Sequence, residues 1–157
     1  MTVCSYLTYD RHLIGMLKWI FTLCVAIGMA FAAIRANASD LIVNVNGVRN
    51  GHGEVRFGLY NNPQAFPNGK KLRGQEEAAN KGVVQTIFRN LPPGTYAVAV
   101  HHDENSDKKM NLRLFIFPQE GYGFSNNARA VLAPPTFQAA AFNMGDSSLA
   151  IALTVVY

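Results

Sequence analysis

Leu91-Pro92-Pro93-Gly94-Thr95-Tyr96-Ala97-Val98-Ala99-Val100-His101-His102 is the stretch that decides the fold. Two prolines stiffen a turn, and Gly94 permits the chain to reverse. Beyond it the period is two. Tyr96, Val98, Val100 and His102 fall on one face, and Ala97, Ala99 and His101 on the other. Such alternation describes a strand with one face on a core. A tyrosine that opens such a strand buries its ring and sends its hydroxyl to nearby backbone.

The same period extends in both directions. Leu41, Val43 and Val45 alternate with Ile42, Asn44 and Asn46. Val55, Phe57 and Leu59 alternate with Glu54, Arg56 and Gly58, and Leu149, Ile151, Leu153 and Val155 with Ala150, Ala152, Thr154 and Val156. Further strands are expected at Val83–Phe88, Thr95–His102, Leu112–Phe117 and Phe137–Met144. Asn50-Gly51-His52-Gly53 reads as a hairpin turn between the first two strands. Residues 61–82 read as one long connection, with a helical turn or two over Gln75–Asn80. No segment sustains a 3.6 period. The pattern predicts an all-β, seven-stranded antiparallel β-sandwich of prealbumin or immunoglobulin type.

Ahead of it lies a leader. Lys18 precedes an apolar run from Trp19 to Ala33, and Ala36-Asn37-Ala38 follows. The run has signal-peptide length and is shorter than the ~20 residues that span a bilayer. Small side chains at Ala36 and Ala38 suit a signal peptidase pocket, so cleavage is expected after Ala38. Residues 1–38 are read as a signal peptide and 39–157 as one domain. The competing reading of the run is a retained membrane anchor. Met16-Leu17-Lys18 opens a more ordinary leader than Met1 does, which marks Met16 as an alternative start.

Removing the leader changes the chemistry on offer. Both cysteines, Cys4 and Cys24, go with it, and with them thiol nucleophiles and thiolate metal sites. Bulky Leu23 before Cys24 argues against a lipoprotein. Loss of Arg11, Lys18, Arg35 and Asp10 leaves 11 basic and 9 acidic side chains. No concentrated basic face remains, so the expectation is no nucleic-acid partner. The expected address is the periplasm or the medium. No transmembrane segment is expected after cleavage, and the partner is an unspecified envelope or extracellular ligand.

Two segments have the residues for binding or chemistry. Asp103, Asn105 and Asp107 follow D-x-N-x-D spacing, which in a tight loop turns three hard oxygens toward one side. The carbonyl of Lys109 would add a fourth ligand, and Asn111 would bind directly or through water. The expected cofactor is weakly held Ca2+. The departures from a calcium loop are Lys108 at the sixth position, where glycine is usual, and Leu114 at the twelfth, where glutamate is usual. The bland alternative is a polar turn held by Asx hydrogen bonds. Adjacent His101 and His102 point to opposite faces and do not chelate one metal together.

The second segment is Pro118-Gln119-Glu120-Gly121-Tyr122-Gly123-Phe124-Ser125-Asn126-Asn127. Gly121 and Gly123 weaken a strand, so it reads as a shaped surface loop. Tyr122 and Phe124 would stack on a ligand, with Glu120, Asn126 and Asn127 as hydrogen-bond partners. The alternative is a loop whose aromatics plug the sandwich.

Leu91-x-Pro93-Gly94-x-Tyr96 resembles the corner of transthyretin-like and carboxypeptidase-regulatory-like sandwich modules. Gly94-Thr95-Tyr96-Ala97-Val98, His102-Asp103-Glu104-Asn105, the Glu120–Asn127 run and Pro135-x-Phe137-x-x-Ala140-x-Phe142 together resemble the bacterial family catalogued as domain of unknown function 2141. That resemblance covers about Leu41 to Tyr157. It implies exported proteins with a β-sandwich and no established activity, and it supplies no catalytic residues. Many members carry Asn-Gly where this chain has Asp107-Lys108. The leading expectation is a binding or envelope-accessory module whose Asp103–Asp107 and Glu120–Asn127 loops form one end of the sandwich. The alternatives are a hydrolase using Asp103, Glu120 or His101 as acid or base, and a purely structural module.

Overall fold

Alternation along the chain becomes alternation of burial. In the computed structural model, which describes residues 38–113 and 117–157, Leu41, Val43 and Val45 of β1 (Ser39–Val48) are fully buried. Val55, Phe57 and Leu59 of β2 (Glu54–Tyr60) face them from a second sheet. Each such side chain contributes about 1.5–3 kcal/mol relative to exposure, so these six are worth of order 10 kcal/mol against chain entropy. The remaining strands are β3 (Arg73–Ala78), β4 (Gly82–Leu91), β5 (Gly94–Asp103), β6 (Leu112–Arg113), β7 (Phe117–Pro118), β8 (Gly121–Phe124), β9 (Phe142–Met144) and β10 (Leu149–Thr154). One helical turn, α1, spans Phe137–Ala140.

Sheet one runs β10-β1-β4, and sheet two runs β3-β2-β5-β8 with β9 also on β5. Between them lies a core of Leu41, Phe57, Phe88, Tyr96, Val98, Leu153 and their neighbours. A second apolar cluster gathers Tyr60, Phe66, Phe124, Phe137 and Ala140 around Ala97, on the outer face of sheet two. Among the described residues both clusters draw on Leu41 to Val155. The corner reads as expected: Tyr96 is buried and its hydroxyl donates to the carbonyl of Pro92 at 2.8 Å.

The β-sandwich stands, with differences in its parts. β1 and β10 pair parallel, Leu41 opposite Leu149 through Asn46 opposite Thr154; alternation reads the same for either direction. Asn50–Gly53 is a crossover between sheets rather than a hairpin, because β1 pairs with β4 and β10 while β2 pairs with β3 and β5. The expected helical turn near Gln75 is edge strand β3, held by its ladder to β2 and by Glu76 on Arg56 at 2.7 Å. The irregular connection shrinks to residues 61–72. Phe137–Ala140 is helical because Thr136 Oγ1 accepts the Ala139 N–H and the i, i+3 pair Phe137 and Ala140 is buried. The single strand expected over 112–117 is instead two short strands, β6 and β7, which pair antiparallel with Leu112 opposite Pro118, and residues 114–116 between them lie outside the described residues. So does the expected leader up to Asn37.

Gly121 and Gly123 build a strand, contrary to expectation. They face the core side of β8, where β10 and the residues after it come too close for a side chain. A Cβ on Gly123 would lie 2.8 Å from both the Leu153 Cδ1 and the Thr154 carbonyl oxygen. The pair Tyr122 N–H to Val156 O and Val156 N–H to Tyr122 O, both 2.9 Å, then closes that side of the sandwich.

Candidate functional site

β5 runs out of the sandwich at Asp103, beside the start of β2 and the start of β8. Antiparallel registry sets His101 opposite Tyr122 and Arg56, and Asp103 opposite Glu54. Sheet two thus brings its polar outward side chains to one end.

Two buried carboxylates organise that end. Asp103 has no exposed surface. Its Oδ1 accepts the Asp107 N–H at 3.2 Å and its Oδ2 the Lys108 N–H at 2.8 Å. Glu120, 4% exposed, accepts the Glu104 N–H at 3.2 Å on one oxygen. Its other oxygen accepts the Asn111 N–H and meets His101 Nε2, both at 3.0 Å. Buried carboxylates are costly unless hydrogen-bonded, and here the loop backbone satisfies them. The price is strain, because Ser106 and Lys108 sit at φ +58° and +66°.

The exposed rim repeats the pattern. Asp107 Oδ1 accepts the Lys109 N–H at 2.8 Å, and Oδ2 accepts the amides of Asn105 and Asn111, both at 3.2 Å. The Lys109 N–H, then the Asn111 and Asn105 amides, hold the Asp107 carboxyl below the ordinary range. Asn105 Oδ1 takes the Asp107 N–H at 3.0 Å. So Asp103, Asn105, Asp107 and Lys109 do come together, as the spacing required. Ca2+ ligands of the right type are present, and each carboxylate oxygen of Asp103 and Asp107 already accepts at least one N–H donor. No group of three or more His, Cys, Asp or Glu side chains converges for a metal among the described residues.

A second network flanks the first and was missed from sequence. Arg49 clamps Glu104 through Nε at 2.6 Å and Nη2 at 2.5 Å, with its guanidinium 4.2 Å from the Tyr157 ring centroid. The Arg49 bond, then that of Asn50 and the charge of Arg49, holds Glu104 below the ordinary carboxylate range. Buried His102 meets the Tyr157 hydroxyl through Nδ1 at 2.7 Å and the His52 carbonyl through Nε2 at 3.0 Å. The carbonyl accepts only, so Nε2 carries a proton. Burial pushes the Tyr157 hydroxyl up. Arg56 is held by Glu54 at 2.5 Å and Glu76 at 2.7 Å. The outward phase of Arg56 and His101 was the one available signal; their partners lie 19 or more residues away, save Glu54.

The Glu120–Asn127 segment does not act as one loop. Glu120 belongs to the acidic end. Tyr122 is half-buried, and Phe124 is buried in the second cluster, 5.8 Å from Phe66 between ring centroids. Asn126 donates to the Ala141 carbonyl at 2.7 Å, and Asn127 Oδ1 accepts the Thr154 N–H at 2.8 Å. These residues brace the chain where they were expected to line a ligand site. His101 and Glu120 do meet, as the hydrolase alternative needs, yet Glu120 and Asp103 are both held by backbone N–H groups.

Two facing sheets, a tyrosine-pinned corner and a loop wrapped around buried carboxylates define a β-sandwich domain. Residues 43–152 match the family described as "Uncharacterized protein conserved in bacteria (DUF2141)". The chain belongs to that family. Comparison with curated proteins and with solved structures found no match. No helix among the described residues is long and apolar enough to cross a membrane.

Proposed function

We propose that this chain is an exported β-sandwich that works by binding, as an envelope-accessory module, through the end where the Asp103–Asn111 loop meets Glu120. One observation carries the reading. Asp103 and Glu120 fix the loop from inside through four backbone N–H groups. The outward groups of Asn105, Ser106, Asp107 and Lys109 are therefore preorganised, and preorganisation lowers the entropy cost of binding. Ca2+ is the specific ligand the spacing suggests. It would compete with internal N–H donors and with Lys108, so its affinity falls in the weak extracellular range of roughly 10⁻⁴–10⁻³ M.

The test is a thermal melt of residues 39–157 titrated with millimolar Ca2+. A site on the folded state raises stability by RT ln(1 + [L]/Kd). The expected result is a rise that saturates and that exposed Asp107→Asn abolishes. No rise at several millimolar removes Ca2+ and leaves the loop as a brace. Export is tested separately: protein recovered from the periplasm is expected to begin at Ser39, and an intact leader on cytoplasmic protein refutes it.

A further inference from the structure

The apolar side chains with the greatest exposure among the described residues are neighbours. Val131 is 85% exposed and Leu132 101%. Ala133 and Pro134 beside them are exposed as well. Isolated apolar residues on a surface are ordinary, but a contiguous run at a loop apex is not. This apex is not a loose tail. Ala128 and Ala130 before it and Phe137 and Ala140 after it pack into the second cluster, against Phe66 and Phe124. Both feet of the loop are pinned, and Val131 to Pro134 project between them.

Charge and size narrow the partner. From Gly121 to Gly145 the only charged side chain is Arg129, two residues from Val131, and it is exposed. No carboxylate in this stretch opposes a negative surface. A stable protein interface needs about 800 Å² on each side, some 20–30 residues. An apex of four small or medium side chains is far below that. It is the size of a wedge that enters the headgroup region of a bilayer, where apolar side chains reach the acyl boundary and arginine meets phosphate.

We infer that the Val131–Pro134 apex, with Arg129, is a docking point for the surface of an anionic phospholipid bilayer. Two apolar side chains and one cation make the contact weak and reversible. The acidic end does not take part, since Asp103 lies roughly 20 Å along β5 from Ala97, which the apex loop's feet cover. The inference does not depend on the Ca2+ reading.

The experiment is flotation of residues 39–157 with vesicles of phosphatidylcholine containing a third phosphatidylglycerol, beside vesicles of phosphatidylcholine alone. The wild type is expected to float with the anionic vesicles. The double variant Val131→Ser/Leu132→Ser is expected to lose binding about tenfold, with its melting temperature unchanged. Arg129→Gln is expected to lose the preference for anionic vesicles. Leu132→Trp supplies an independent reading, because Trp19 in the leader is the chain's single tryptophan. Its emission is expected to shift to the blue when anionic vesicles are added. Equal flotation of wild type and double variant, no flotation of the wild type, or unshifted emission overturns the inference. So does a wild-type dimer in sedimentation that the double variant abolishes, which would make the apex a contact between copies.

Discussion

Replacing Lys108 with glycine is expected to stabilise the protein, although it deletes a side chain and adds backbone freedom. Lys108 sits at φ +66°, in the left-handed region. For a residue with a Cβ that conformation costs about 1–2 kcal/mol. Glycine removes this cost but gives the unfolded chain more freedom, worth about 0.5–1 kcal/mol. The Lys108 N–H bond to Asp103 Oδ2, at 2.8 Å, is a backbone bond and survives. The net expectation is a gain of about 0.5–1 kcal/mol, or roughly 2–4 °C in Tm for a domain of this size. Thermal unfolding of Lys108→Gly, Lys108→Ala and wild type, residues 39–157, gives the comparison. Alanine removes the ammonium and keeps the strain, so it is expected to stay within about 0.5 kcal/mol of wild type. Equal shifts for glycine and alanine would show that charge, not backbone conformation, governs the position, and would refute the reasoning.

Gly123→Ala is expected to destabilise by about 1–3 kcal/mol, because the new methyl meets the Thr154 carbonyl, which is backbone and cannot swing aside; denaturant unfolding at constant m-value checks it. Acid is expected to weaken the Arg49–Glu104 end. Arg49 lowers the folded-state pKa of Glu104 from its ordinary 4.5, so its contribution is complete above that value and is lost as pH falls through the lower one. Stability measured from about pH 5 down to about pH 3 is therefore expected to fall more steeply in wild type than in Glu104→Gln; parallel slopes would contradict the assignment.

How much could be read in advance depended on range. Alternation around Tyr96, Val43 and Phe57 is local, and it named the core faces correctly, including buried His102 against outward His101. The Asp103–Asp107 loop is local too, and its side chains converge as the spacing suggested. What they converge on was not legible, because the competing donors are the loop's own N–H groups. Glu120 was assigned to an aromatic loop since nothing near it in sequence shows that His101 and Asn111 are its partners. Gly121 and Gly123 misled because a missing side chain has two meanings. In isolation it weakens a strand; beside Leu153 and Thr154 it is what lets two strands approach. Strand β3 overrode its helical look through Arg56, another long-range partner.

The parallel pairing of β1 with β10 bears on the order in which the chain is made. Leu41 meets Leu149, 108 positions later. Sheet one therefore cannot be completed until β10 has left the ribosome, and Leu153, fully buried, is absent from the core until then. Contacts this distant in sequence slow folding, because the closure entropy comes before any reward. A nascent chain of this design stays open until β10 emerges, with β1 waiting for its partner. β1 and β10 act as a clasp that shuts only when both strands are present.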